Sequence, residues 1–340
     1  MSDLVLVTGI SGFVGGHVAL ELLRQGYRVR GSVRHLDSAP KVRATLAAAG
    51  ADPERLEFVT LDLEEDRGWD TAMEGVRYLQ HVASPFITSM PRDRNELIRP
   101  AVEGTRRALE AAVRAKVEHV VLTSSVAAVV YGHERSHSTP FTDADWTDLN
   151  WRGVSAYAES KTRAEREAWS IMDREGRHDD LTAINPGAIF GPLLDDDAGT
   201  SVALLKRMFD GSLPAAARIS LNVIDVRDVA AAHVAAMSSP LAAGRRILLG
   251  SGTYSLMQMA DVLRAALPDR ATKLPRFEVP DWVVRLVGFV DRDVRGNLDE
   301  LGVVKTVDAR LGRELLGRDF IAPDEAVIAS ARSLIAHGIA

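Results

Sequence analysis

The sequence lacks cysteine, long apolar runs and an excess of basic charge. Without cysteine the chain has no disulfide, no thiolate nucleophile and no cysteine ligand for zinc, which is compatible with a reducing cytosol. No apolar run approaches the ~18 residues that predict a membrane span. The 41 Lys and Arg residues are outnumbered by 47 Asp and Glu residues, so no basic field favours nucleic acid or an anionic membrane as a partner.

The remaining composition is that of a globular protein with more than one domain. The 340 residues are 46% hydrophobic and 26% charged, and a chain of this length forms about two domains of ~150 residues. Only three residues precede the first apolar run. We therefore expect no signal peptide and a cytoplasmic location.

The first motif spans residues 4–16 and reads LVLVTGISGFVGG. Four apolar residues at its start are typical of a parallel strand buried on both faces, and a helical pattern follows the glycines. Gly9 permits a tight turn, Gly12 leaves room for a pyrophosphate, and Gly15 lets the helix lie close to the strand. The free N–H groups of the helix that starts near Phe13 then face the phosphates. This strand, turn and helix predict dinucleotide binding.

The second predicted strand, residues 27–33, indicates which dinucleotide binds. NAD-binding proteins carry an Asp or Glu near the end of this strand, ~20 residues beyond the glycines, where it binds the ribose 2′-hydroxyl. Here no acid is present, and Arg34 is placed to bind a 2′-phosphate instead. Lys41, at the start of the next helix, would add a second cation. A solvated surface arginine is the alternative interpretation, but the position and the missing acid favour NADP(H).

Further apolar runs predict the rest of a parallel sheet. Strands are predicted over residues 56–61, 76–82, 119–123 and 181–185. A long helix is predicted over residues 95–116, and small residues after the fourth strand suit a cofactor crevice. His81, inside that strand, is expected to be a core residue. The pattern predicts an α/β fold, a Rossmann-type doubly wound parallel sheet with a smaller, mostly helical C-terminal substrate domain.

Three polar residues suggest the chemistry. Ser125 follows the strand at 119–123, and Tyr157 and Lys161 are four residues apart on one face of a predicted helix. A free phenol has a pKa of ~10, and a neighbouring ammonium, helped by the positive nicotinamide, lowers that pKa towards the range useful for proton transfer. Lys161 can also hydrogen-bond the nicotinamide ribose, and a serine hydroxyl can polarise a substrate carbonyl.

Together these motifs resemble the extended branch of the short-chain dehydrogenase/reductase superfamily. Shorter segments are similar to its dihydroflavonol-4-reductase branch, namely SVR at 32–34, HVASP at 81–85, LTSS at 122–125 and DW at 145–146. The resemblance covers most of the chain and is strongest through about residue 230. It implies NADPH-dependent reduction of an aldehyde or ketone to an alcohol, with Tyr157 protonating the carbonyl oxygen. Ser125 rather than Ser124 matches the catalytic serine of the motif.

The resemblance also implies a set of cofactor-binding residues. Asp62 and Leu63 would lie against the adenine, and the segment from Pro186 would cover the nicotinamide. The full predicted set is Gly9, Ser11, Gly12, Phe13, Val14, Gly15, Arg34, Lys41, Asp62, Leu63, Val82, Ala83, Ser84, Thr123, Tyr157, Lys161, Pro186, Gly187 and Ile189.

Predictions for the substrate are less detailed. Pro85, Phe86, Ser125 and Phe190 are the substrate-site candidates, although the two phenylalanines are equally compatible with a core position. No metal site is expected, because the pair His133 and His137 lies in a Gly/Ser-rich loop without further ligands.

The predicted domain division follows the same resemblance. Residues 1–186, with a return segment at about 219–240, form the NADP-binding domain, and 187–218 with 241–340 form the substrate domain. In the substrate domain, amphipathic helices are predicted at 256–267 and 323–337, with Gly338 ending the second one. A monomer or a homodimer is compatible with the sequence.

Two alternative functions remain open. A nucleotide-sugar epimerase or dehydratase would hold NAD(P) tightly; Arg34 disfavours it, as does Ala101 at a position where many relatives carry Asn. A non-catalytic NADP-binding redox sensor is disfavoured by the complete set of Ser125, Tyr157 and Lys161.

Overall fold

The structure is a computed structural model that describes residues 3–85, 93–196, 199–290, 292–296 and 298–339. Within these ranges the strands are β1 Leu4–Thr8, β2 Arg28–Val33, β3 Leu56–Thr60, β4 Tyr78–His81, β5 His119–Thr123, β6 Leu181–Pro186, β7 Ala188–Phe190, β8 Ser220–Asp225, β9 Arg245–Leu249 and β10 Gly252–Ser255. The α-helices are α1 Phe13–Arg24, α2 Ala39–Ala48, α3 Trp69–Met73, α4 Asn95–Arg114, α5 Ala156–Arg174, α6 Thr200–Asp210, α7 Val226–Ala236, α8 Leu256–Ala266, α9 Asp281–Val287, α10 Arg292–Arg295, α11 Arg310–Leu316 and α12 Pro323–Ala336.

The large sheet has seven parallel strands in the order β3-β2-β1-β4-β5-β6-β9. The chain builds outward from β1 to β3 and then returns to the other side of β1 with β4. This reversal produces a crevice at the carboxyl ends of β1 and β4, where doubly wound folds bind their ligands. The predicted Rossmann-type fold is confirmed.

Alternation along β1 explains why helices cover both faces of the sheet. Val5 and Val7 pack in a core with α1, α2 and α7, whereas Leu4 and Leu6 pack on the opposite face with α3, α4 and α5. Since successive side chains of a strand point to opposite faces, an unbroken apolar run requires cover on both sides. The first motif is therefore anchored in both layers of the core.

The segment predicted to return to the large sheet does not supply the strand that extends this sheet. β8, within the predicted return at 219–240, joins a three-stranded sheet of order β10-β8-β7, and α7 after it packs against α1. The strand that extends the large sheet is β9, in the segment assigned to the substrate domain; it pairs with β6. Ile247 to Leu249 is buried on both faces, as a parallel strand requires.

The C-terminal helices pack over the small sheet. Side chains of α6, α8 and α12 form a core with β7 and β8. The helices predicted at 256–267 and 323–337 are found as α8 and α12, and Gly338 follows α12 with a φ of 67°. Within the described ranges, no helix has both the length and the apolar character needed to cross a membrane.

Candidate active site

A cleft of about 640 Å³ opens at the carboxyl edge of the large sheet. The ends of β1, β2, β4, β5 and β6 and the N-terminal turn of α1 form its walls. Most predicted cofactor and catalytic residues line it, namely Gly9, Ser11, Gly12, Phe13, Val14, Gly15, Arg34, Asp62, Leu63, Val82, Ala83, Ser84, Thr123, Ser125, Tyr157, Lys161, Pro186, Gly187 and Ile189. Pro85, a predicted substrate residue, also lines it. Their contacts with a cofactor or substrate stay predictions.

The glycine turn has the geometry that its spacing predicts. Gly9 has a φ of 68°, and a Cβ there would lie 3.0 Å from the Cα of Ala83. A Cβ on Gly15 would lie 2.1 Å from the carbonyl oxygen of Gly9, so α1 approaches the turn as closely as backbone permits. Gly12 precedes α1 in an extended conformation, and no side chain caps the helix. The first N–H groups of α1 are thus available to an anion.

Thr8 holds the two strand ends together, a role that the sequence reasoning missed. Its Oγ1 accepts the N–H groups of Val82 and Ala83 at 3.0 Å each and lies 3.0 Å from Nδ1 of His81. Burial, helped by the Lys161 ammonium, lowers the pKa of His81 to about 3. The neutral ring therefore accepts the Thr8 hydroxyl proton, and the prediction that His81 is a core residue is confirmed. The only signal was the threonine directly before the first glycine.

The two predicted phosphate-binding cations differ in their surroundings. Arg34 follows β2, is exposed and lines the cleft, and it forms no ion pair within the described ranges. Lys41 does not line the cleft; its Nζ lies 2.5 Å from Oδ1 of Asp196 and 3.5 Å from Oδ2 of Asp195. The acidic turn at 195–196, far from Lys41 along the chain, already supplies its counter-charge. Binding of a phosphate by Lys41 stays a prediction.

We expect Arg34→Ala to raise the KM for NADPH about 10- to 100-fold and the KM for NADH less than about threefold, because hydrogen bonds to a charged group contribute about 1.5–3 kcal/mol. Steady-state kinetics with both cofactors measure this. Arg28→Ala is the matched control, since Arg28 begins the same strand and pairs with Glu57 at 3.8 Å. Equal effects of Arg34→Ala on both cofactors would contradict the assignment.

The two serines after β5 have different partners. Ser124 Oγ donates to the buried carboxylate of Glu165 at 2.5 Å. Ser125 Oγ accepts the N–H group of Ala127 at 3.1 Å, and the Ser125 side chain acts on the pKa of Tyr157, which it lowers. Both serines line the cleft, but an accepting hydroxyl still has its own proton to give, whereas the Ser124 proton is directed to Glu165. This geometry supports Ser125 over Ser124 as the catalytic serine.

Tyr157 and Lys161 lie on the first turns of α5. The Ser155 side chain accepts the Ala158 N–H group at 3.2 Å and fixes the start of the helix just before Tyr157. Tyr157 is 41% exposed and lines the cleft, whereas Lys161 is only 9% exposed. Within the described ranges, Lys161 makes no hydrogen bond or ion pair.

Desolvation is the largest influence on the pKa values of Tyr157 and Lys161. Although 41% of the residue is exposed, the protein atoms around the Tyr157 hydroxyl desolvate it and raise its pKa, and the Ser125 side chain opposes this shift. Burial also lowers the pKa of the Lys161 ammonium to about 8, opposed by the negative charge of Glu165. Desolvation disfavours the charged form of both groups. The expected lowering of the phenol pKa relies on the positive nicotinamide together with Lys161, so it stays a prediction.

Phe190 and the pair His133 and His137 do not line the cleft. Phe190 is fully buried in the core of the small sheet, so it does not reach the cleft; its ring packs there because β7 pairs with β8 beneath α6. Phe86 lies outside the described residues. His133 and His137 pack against the ring of Phe141, and no group of three or more potential metal ligands is found in the described part of the chain.

The cleft defines the class of protein. A glycine turn that leads into a helix N-terminus at the switch point of a parallel sheet is the dinucleotide-binding site of Rossmann-type proteins. The NAD dependent epimerase/dehydratase family model matches residues 5–250, and the chain belongs to this family. The resemblance to extended short-chain dehydrogenases/reductases is thereby confirmed.

Individual relatives are similar over most of the chain. A cinnamoyl-CoA reductase of Medicago truncatula is 34% identical over 255 residues, which cover 73% of this chain and 76% of that protein. A ketoreductase of Aspergillus niger is 31% identical over 297 residues, which cover 82% and 86%. The crystal structure of yeast methylglyoxal/isovaleraldehyde reductase complexed with NADPH is similar with a TM-score of 0.80 at 25% identity, covering 99% of this chain and 100% of that one.

Proposed function

We propose that this protein is an NADPH-dependent carbonyl reductase that converts an aldehyde or ketone to an alcohol. The proposal rests on one observation: the exposed Arg34 lines the same cleft as Ser125, Tyr157 and Lys161. The relatives support the same chemistry, since those named above are reductases and one of them is complexed with NADPH.

The residues around the cleft fit the cofactor. The uncapped N-terminus of α1 after Gly12 would hold the pyrophosphate, and the close approach of Gly15 to the turn aims these N–H groups into the cleft. Arg34 would bind the 2′-phosphate, Asp62 would lie beside the adenine, and Gly187 would lie over the nicotinamide. Each of these residues lines the cleft.

The reaction needs a hydride and a proton. When bound, the nicotinamide supplies the hydride that reduces the carbonyl carbon. Tyr157 gives its phenol proton to the carbonyl oxygen, and Ser125 donates a hydrogen bond to the same oxygen. Because burial raises the pKa of Tyr157, the phenol is protonated at neutral pH, which is the form that reduction consumes. Lys161, with a pKa of about 8, is mostly charged at neutral pH and would hold the nicotinamide ribose.

The experiment is to follow NADPH consumption with a panel of aryl aldehydes, β-ketoesters and α-dicarbonyls, with NADH run in parallel. We expect turnover with NADPH, and the rank order of substrates would describe the pocket. NADPH binding is measured separately by quenching of tryptophan fluorescence. Binding without turnover across the panel would contradict the proposal and favour the sensor; conversion of a nucleotide sugar without net NADPH consumption would favour the epimerase.

A further inference from the structure

Glu165 is a buried carboxylate that the proposed reaction does not use. It lies on α5 one turn after Lys161 and two turns after Tyr157, so the three residues share one face of the helix. Glu165 is only 1% exposed. An acid at such a position requires partners that satisfy both oxygens, because an unpaired buried charge is costly.

Four groups surround the Glu165 carboxylate. Oε2 accepts the Ser124 hydroxyl at 2.5 Å and the Asn185 side-chain amide at 2.8 Å. Oε1 accepts Nε of Arg246 at 2.5 Å and, more weakly, the indole N–H of Trp169 at 3.4 Å. The Arg246 side chain is itself 7% exposed, so this is a buried ion pair.

Two of these partners, Ser124 and Asn185, connect Glu165 to residues that line the cleft. Ser124 precedes Ser125, and the Asn185 amide that binds Glu165 also donates to the Ser125 carbonyl oxygen at 3.1 Å. Asn185 in turn precedes Pro186, which lines the cleft. One carboxylate therefore fastens the end of β5, the end of β6 and the helix that carries Tyr157 and Lys161.

Arg246 is held as firmly as its partner. From β9 its guanidinium donates to the carbonyl oxygens of Asp143 at 3.0 Å and Asp145 at 2.5 Å, and it lies 3.7 Å from the ring centre of Trp146. A buried ion pair of this kind is weak support for a stability role, because desolvation of both charges offsets most of their attraction. Its position behind the cleft suggests another role.

We propose that Glu165, held by Arg246, is a positioning residue for proton transfer: it fixes the Ser125 backbone relative to α5 and stabilises the positive charge of Lys161. The proposal rests on the proposed reductase function. Neither Glu165 nor Arg246 lines the cleft, so both act through residues that do.

The charged groups that face Lys161 determine in which direction its pKa moves when Glu165 is replaced. Glu165 faces it from the same helix, His81 from the end of β4, and Tyr157 from the preceding turn. His81 and Tyr157 are neutral at neutral pH, which leaves Glu165 as the anion that opposes desolvation of the ammonium. Removing this anion lowers the pKa of Lys161 further, so activity that needs the ammonium is lost at a lower pH.

The first test is Glu165→Gln, which keeps the shape and removes the charge. We expect kcat to fall about tenfold or more, NADPH affinity to change less than about threefold below pH 7, and the alkaline limb of the pH profile to move down by about one unit. Asp225→Asn is the matched control, because Asp225 is equally buried, binds Arg227 and does not line the cleft. It should lower the melting temperature without changing kcat or the alkaline limb.

Loss of the fold is separated from loss of positioning by two further variants. The double variant Glu165→Gln/Arg246→Met also removes the arginine charge that Glu165→Gln leaves unpaired. We expect its melting temperature to recover, while kcat stays low and the alkaline limb of the pH profile stays at the lower pH. Ser124→Ala removes one hydrogen bond and leaves the ion pair; we expect about a three- to tenfold loss of kcat. Recovery of wild-type kcat and pH profile in the double variant, or an unchanged kcat in Ser124→Ala, would overturn the proposal.

Failure of the reductase function is distinguishable from failure of this inference. If wild-type protein reduces no carbonyl, the proposed function fails first. The pH dependence of NADPH affinity, read from tryptophan quenching, then still reports whether Glu165→Gln shifts the titration of Lys161. An unshifted binding profile would overturn the proposed role of Glu165 independently of turnover.

Discussion

Replacing Tyr157 with phenylalanine should lower kcat by about three orders of magnitude and leave NADPH affinity nearly unchanged. The substitution removes one oxygen, the proton donor, and general acid catalysis contributes about 10²- to 10⁴-fold. The ring itself stays in the wall of the cleft beside Ser125. Because the phenol proton is used in the chemical step, the loss should fall on kcat rather than on binding.

Tyr131→Phe is the matched control for this experiment. Tyr131 is close enough to Tyr157 to interact electrostatically, and its ring lies 4.2 Å from Nζ of Lys305, but it is not among the residues that line the cleft. The same loss of one hydroxyl should therefore lower kcat less than about tenfold. Initial rates under saturating NADPH, together with fluorescence titration, measure both variants. If Tyr157→Phe kept more than a tenth of wild-type kcat, another group would have to supply the proton.

The parts of the fold that the sequence predicts are those set by local patterns. The apolar run of β1, the β5 strand ending at Thr123 and the helix that carries Tyr157 and Lys161 each have their signal within a few residues. The glycine spacing is equally local, because positive φ at Gly9 and the contact between Gly15 and the turn arise within one strand–turn–helix unit. These local preferences predict the fold because the tertiary structure favours the same conformations.

The positions of β8 and β9 could not be read in the same way. Both are short strands beside the α7 helix, and which one joins the large sheet depends on pairing with β6, more than 50 residues earlier. The two arginines at the start of β9 also suggest exposure, yet Arg246 is buried because Glu165 and two carbonyl oxygens receive its guanidinium. A charge pattern alone does not show such a partner.

The contacts in the candidate site likewise join residues that are far apart in the sequence. Ser124, Glu165, Asn185 and Arg246 lie on four elements, and only the structure joins them. Lys41 follows the expected spacing for a phosphate contact, but Asp196, more than 150 residues later, binds it. The desolvation that raises the pKa of Tyr157 was also not predicted, since helical spacing gives the neighbour of the phenol and not the atoms packed around it.

Gly15→Ala should abolish measurable dinucleotide binding, with at least a 100-fold loss of NADPH affinity. The new Cβ would lie 2.1 Å from the Gly9 carbonyl oxygen and 2.8 Å from its carbonyl carbon. Both are backbone atoms, so relief requires α1 to move away from the turn by about an ångström, and its N–H groups move with it. Overpacking of this kind costs about 1–3 kcal/mol, which exceeds the gain of up to about 1 kcal/mol from replacing a helical glycine.

Gly16→Ala is the control, because it makes the same change at the next position of the same helix. There the nearest atom to the new Cβ is Cδ1 of Leu194 at 3.3 Å, the end of a flexible side chain. We therefore expect Gly16→Ala to keep NADPH affinity and to raise the free energy of unfolding by up to about 1 kcal/mol. Urea unfolding and fluorescence titration test the pair. Wild-type affinity in Gly15→Ala would mean that the distance between α1 and the turn does not control binding, and the phosphate site would have to be sought elsewhere in the cleft.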